Sequence, residues 1–115
     1  LIVYADNLNH PDIAHSLNNI GNVYKINADF DKALEYLEKS YKIRQILYAD
    51  TPNHPDIATS LSNISIVYEY KSDYNKALEY LEKSYEIRKK VYADNPNHPL
   101  LNLTLNNILN VKREL

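Results

Sequence analysis

The sequence predicts an all-α fold, an α-solenoid built from antiparallel helix pairs. Three observations carry that prediction. The phrase NHPDIA stands at Asn9–Ala14 and again at Asn53–Ala58, and NHP returns at Asn97–Pro99, so that His10, His54 and His98 recur every 44 residues. Only one glycine and five prolines punctuate the 115 residues, and three of those prolines, Pro11, Pro55 and Pro99, hold the same place in each copy. Apolar residues recur at helical rather than strand spacing throughout.

Taken in order, Leu1–Asp6 repeats the end of a later helix, and residues 1–8 read as the tail of a preceding second-type helix. The first copy occupies 10–50, the second 54–94, and 98–115 forms either the first helix of a third copy or a capping helix, all in one array over 1–115. Each copy opens with His-Pro. Proline suits the first helical position, where its missing N–H costs nothing, and Asp12 or Asp56 adds negative charge at the positive end of the helix dipole. In the third copy Leu100 replaces that acid. The first helix carries Ile13, Leu17, Ile20 and Tyr24 at one face, with Ile57, Leu61, Ile64 and Tyr68 as counterparts, and is expected to end near Asn27 or Ser72. Asp29 and Asp73 are good N-caps for the second helix. That helix places Phe30, Ala33, Leu34, Leu37, Tyr41 and Leu47 inward, matched by Tyr74, Ala77, Leu78, Leu81, Tyr85 and Val91. It runs about 20 residues, roughly 30 Å, and stops before ADTPNHP or ADNPNHP, where Asn and Pro supply turn chemistry. In the last copy Leu101, Leu105 and Ile108 are expected to pack inward, leaving Leu100, Leu103 and Leu109 exposed.

Composition narrows the function. A hydrophobic fraction of 44% with 24% charged residues is that of a globular chain, and the apolar runs are far too short to span a bilayer. A net charge of −2 gives no reason to expect nucleic acid or an anionic membrane. Cysteine is absent, which removes disulfide and thiol chemistry and suits a reducing, cytoplasmic setting. The chain starts at Leu1 without methionine and reads as an excerpt, so a missing targeting signal says little.

The residues Leu17, Ile20, Gly21, Tyr24, Phe30, Ala33, Leu37 and Ser40, and again Leu61, Ile64, Ser65, Tyr68, Tyr74, Ala77, Leu81 and Ser84, resemble the tetratricopeptide repeat in their pattern of large and small side chains. The extra length and the phrase HPDIA.SL.NI..VY resemble the long-repeat branch typified by kinesin light chains, which also occurs in bacterial repeat proteins and in sensor arms of signalling ATPases. The resemblance implies a right-handed superhelix and a scaffold that binds protein or peptide. The third copy departs from the pattern: Gly21, which lets paired helices close up, becomes Ser65 and then Leu109, and Tyr24 and Tyr68 become Lys112.

Catalytic chemistry has little to use. His15 lies one helical step from Asp12, but Thr59 replaces it in the second copy. Ser40 and Ser84 fall at small packing positions, and Gly21 cannot make a phosphate loop alone. Glu35, Glu38, Lys39 and their counterparts Glu79, Glu82 and Lys83 read as a solvated face. No enzyme activity, cofactor or metal is expected. Asn19, Asn63 and Asn107 recur in register on the first helix of each copy. Each amide offers two donors and an acceptor, and the resemblance implies that such a ladder lines a concave groove and bonds a peptide backbone. Neighbouring groove candidates are Asn18, Asn22, Lys25 and Ile26 in the first copy. The second copy offers Ser62, Ile66, Glu69 and Tyr70, and the third Asn106, Asn110 and Arg113. The carboxylate clamp that some such repeats use for chaperone tails is matched by Asn22 and Asn63. Asn18, Leu103 and Asn107 stand where its cations should be, which argues against that ligand. The expected function is a non-enzymatic peptide-binding scaffold within a larger adaptor or sensor. The alternatives are a structural spacer or a rod that associates weakly with itself through the repeat ends.

Overall fold

The computed structural model describes residues 9–115, so the reading of residues 1–8 lies outside the described residues. Among the described residues five helices follow in order: α1 (Pro11–Ile26), α2 (Phe30–Leu47), α3 (Pro55–Tyr70), α4 (Tyr74–Val91) and α5 (Pro99–Glu114). The chain divides into two compact units, the first ending at Pro52 and the second running from Asn53 to Leu115. In the first, α1 packs on α2; in the second, α4 is the neighbour of both α3 and α5.

The His-Pro phrase has a clear physical task. His10, His54 and His98 are the N-caps of α1, α3 and α5, and their Nδ1 atoms accept the backbone N–H groups of Asp12, Asp56 and Leu100 at 3.0, 3.0 and 3.1 Å. Each imidazole satisfies one donor that the first helical turn leaves open, and Nδ1 can accept only while it carries no proton. His98 also stacks on Tyr92, with ring centroids 3.7 Å apart. The Asp29 and Asp73 side chains cap α2 and α4 by accepting from the N–H groups of Lys32 and Lys76, as expected.

Between α1 and α2 the backbone turns through Ala28, whose φ is 62°; Ser72 takes the same place between α3 and α4 with φ 61°. The N–H of Ala28 bonds the Lys25 carbonyl and that of Asp29 bonds the Tyr24 carbonyl. This is the paired helix-ending bond pattern in which the left-handed residue is usually glycine. A side chain there costs about 1–2 kcal/mol, so Ala28→Gly is expected to stabilise the chain by about 1 kcal/mol, read as a higher midpoint in urea unfolding at unchanged slope.

The seam of each helix pair is made of small residues. On α1, Ala14, Asn18 and Gly21 are buried. A β-carbon on Gly21 would lie 2.6 Å from Leu37 Cγ and 3.2 Å from the Ala33 carbonyl oxygen, so α1 and α2 are as close here as their backbones allow. The buried Ser40 donates to the Ala14 carbonyl at 2.6 Å, and Ser84 donates to the Ala58 carbonyl at 2.9 Å. Large side chains flank the seam. Tyr24 stacks on Tyr36 (5.4 Å between centroids) and Tyr68 on Tyr80 (5.6 Å), with Lys32 over Tyr24, Lys39 over Tyr36, Lys76 over Tyr68 and Lys83 over Tyr80.

Two inward assignments need correction. Ile20 is 41% exposed, because α2 covers the Ala14–Gly21 stripe and Ile20 points about 100° away from Gly21 around the helix. Leu105 is 39% exposed, although Leu101 and Ile108 are buried as expected. Ile108 and Val111 close a core with Ala77 and Leu81, with Tyr68, Tyr74, Leu78 and Tyr85 packed against it. Leu105 lies on another side of α5, where no described helix rests.

Candidate functional site

The proposed groove residues sort into three registers along the first helix of each copy. The register of Asn18, Ser62 and Asn106 belongs largely to packing. Asn18 is buried, and the Ser62 hydroxyl lies 2.7 Å from that of Ser84. Because the Ser84 proton is given to the Ala58 carbonyl, Ser62 is the donor. Asn106, at the same register on α5, is exposed.

The register of Asn19, Asn63 and Asn107 is open to solvent. Asn19 is exposed, while Asn63 and Asn107 are half-buried. In the third register Asn22 and Ile66 are half-buried and Asn110 is exposed. Among the described residues the buried Asn22 Oδ1 atom has no hydrogen-bond partner, which leaves an acceptor open to a donor. Asn110 accepts a bond from Arg113 at 3.3 Å. Further along the same helices, Ile26 and Tyr70 are 78% and 63% exposed.

The electrostatics of this surface differ between copies. Burial lowers the pKa of Lys25 by penalising its charged form. Glu69, its counterpart on α3, has a raised pKa, chiefly through burial and secondarily through the charge of Glu114 on α5. The ionised form of Glu69 is therefore disfavoured in the folded state. Stability is lowered while Glu69 is charged and recovers as falling pH protonates it. Glu69→Gln is expected to raise the melting temperature slightly at pH 7, and the gain should vanish below about pH 4.3, where glutamate is protonated folded or unfolded. Thermal melts across pH check this.

The sequence reading missed the buried arginines. Arg44 and Arg88 recur in register and are 5% and 8% exposed. Arg88 donates through Nη1 to Thr104 Oγ1 at 2.8 Å, and Thr104 in turn donates to the Leu100 carbonyl at 2.5 Å, which ties α4 to α5. Burial lowers the pKa of Arg88, and nearby Tyr92 works against that shift. The only available signal was the recurrence of Arg itself within an otherwise apolar register.

Two family models, both described as tetratricopeptide repeat, match residues 13–56 and 47–90. Together they span about two thirds of the chain. The chain is a tetratricopeptide-repeat protein. Tetratricopeptide repeats generally mediate protein–protein interaction and are generally non-enzymatic. No curated protein matches the chain. Among the described residues, no group of three or more His, Asp or Glu side chains could hold a metal ion, and no helix is long and apolar enough to cross a membrane.

Proposed function

We propose that this tetratricopeptide-repeat chain is a non-enzymatic scaffold that binds an extended peptide along the groove formed by the first helices of its copies. In this reading the copies are 44-residue repeats of the long, kinesin-light-chain-like kind, wound as a right-handed superhelix within a larger cytoplasmic adaptor or sensor. The observation that carries it is the recurrence of solvent-accessible amides at one register, Asn19, Asn63 and Asn107, beside the unsatisfied Asn22 acceptor. Amides can bond a peptide backbone whatever its side chains, while Lys25, Ile66, Tyr70 and Asn110 differ between copies and supply selectivity. Asn18, Ser62 and Asn106 contribute less, because that register serves the helix seam.

Titrating a peptide library against the 15N-labelled chain tests the reading. Shifts gathered at Asn19, Asn63, Asn107 and Asn22 support it, and shifts elsewhere reject it. Asn63→Ala should weaken binding of a selected peptide while lowering stability by less than about 1 kcal/mol, the net value of one hydrogen bond. A large fall in melting temperature at unchanged affinity would assign Asn63 to the scaffold instead.

A further inference from the structure

Lys25 and Glu69 hold one register on the first helices of the two units, with opposite charge. Lys25 lies in the last turn of α1, where the helix dipole favours a cation. Glu69 lies in the last turn of α3, which holds no basic residue, so its charge meets the negative end of its own helix. Burial disfavours that charge further, and the like charge of Glu114 adds to the cost. Glu35, Glu79 and Glu86 pair with Lys39, Lys83 and Lys89 on their own helices. Among the described residues no ion pair holds Lys25 or Glu69. Glu69 is thus kept against dipole, burial and a like charge, and a cation brought by a ligand would offset all three. The surroundings agree with these charges. One turn before Glu69 stands the half-buried Ile66, and Tyr70 next to it is 63% exposed. Ile66 and Tyr70 are four residues apart and share a side of α3, a surface for the methylene stem of a lysine or arginine. One turn before Lys25 stands Asn22, whose amide can donate to a carboxylate. The third member of the register, Arg113, already donates to Asn110 on its own helix.

We propose that the bound peptide carries an acidic side chain to Lys25 and a basic one to Glu69, and that this order of charges sets the direction in which it lies along the groove. The inference rests on the groove reading and adds the chemistry of the ligand to it. The amides of Asn19, Asn63 and Asn107 bond a backbone of either direction, because a peptide offers N–H and carbonyl groups both ways along. Lys25 and Glu69 remove that ambiguity. A peptide laid the other way brings acid to Glu69 and base to Lys25, and like charges at both places exclude it. At Glu69 the basic residue packs its stem on Ile66 and Tyr70 while its charged end meets the carboxylate. At Lys25 a short acidic side chain suffices, since Asn22 lies one turn away on the same side of α1.

A phage-displayed library of random peptides, selected on the 115-residue chain, tests this, with the selected peptides then titrated against the 15N-labelled chain. They are expected to share one acidic and one basic residue in a fixed order. The chain carrying both Lys25→Glu and Glu69→Lys should select the opposite order. Either change alone should weaken a peptide selected on the parent about tenfold, since a repulsion replaces an attraction. Lys25→Gln and Glu69→Gln serve where a reversed charge disturbs folding. Glu69→Gln should bind that peptide more weakly while melting slightly higher, a split that a purely structural carboxylate does not give. Peptides that shift Asn19, Asn63 and Asn107 without any order of charges, or that bind the reversed chain equally well, would overturn the inference and leave the groove reading standing. Peptides that shift residues elsewhere, or a library that yields no binder, would overturn both.

Discussion

Gly21→Leu is expected to destabilise the chain by about 3 kcal/mol, the upper end of the usual overpacking range. The nearest obstacle is the Cγ of Leu37, a branched atom in a fully buried side chain, and the Ala33 carbonyl oxygen lies 3.2 Å from the same point. Neither can withdraw without moving α2. The helix-propensity gain of replacing glycine, about 1 kcal/mol, is too small to compensate. Gly21→Ser should be milder, because Ser65 already occupies the matching place and turns its hydroxyl to the Ser62 carbonyl at 2.6 Å. Urea unfolding of both variants checks the order, and equal stabilities would show that α1 and α2 separate more easily than their contact distances imply.

Ala77→Leu is the second large effect, expected to cost about 1–3 kcal/mol. Ala77 is fully buried and belongs to the core with Leu81, Ile108 and Val111. A leucine there presses on α5, which α4 holds through this core and the Arg88–Thr104 bond. The loss should therefore be read twice, as a lower melting temperature and as faster amide exchange along Pro99–Glu114. A variant that melts with the parent would mean that Ala77 does not stand at a helix crossing.

What could be read from the sequence follows from what repeats. The helix starts at Pro11, Pro55 and Pro99 and the caps at Asp29 and Asp73 depend on local chemistry, and local chemistry is written in adjacent letters. The close approach at Gly21 was legible for the same reason, since a lone glycine in a helix signals contact. The inward face was read less well. Ile20 and Leu105 obey helical spacing yet remain exposed, because spacing shows that residues share a side and not whether anything rests against it. Arg44 and Arg88 were missed because a long cationic side chain counts as surface in any pattern, while Arg88 is buried against a hydroxyl contributed by another helix, that of Thr104. Among the groove residues, the amide register was visible, but the division of labour between Asn18 in the seam and Asn19 in solvent turns on one residue of helix rotation.

The hydroxyl bonds in the two seams have a consequence for how such a chain can lengthen. Ser40 reaches back to Ala14 and Ser84 to Ala58, the same 26-residue offset each time. In the first pair the close approach of Leu37 to Gly21 fixes the alignment of the two helices, and in both pairs this bond marks the same alignment from within. The left-handed turn residue lies inside that stretch, and the capping histidine stands just before it. A duplicated segment of the gene thus brings its own alignment mark, start signal and turn, although burying its apolar face still takes a neighbour. Copies can be gained or lost whole, while a break inside the stretch between the serine and the alanine it reads separates the mark from its target.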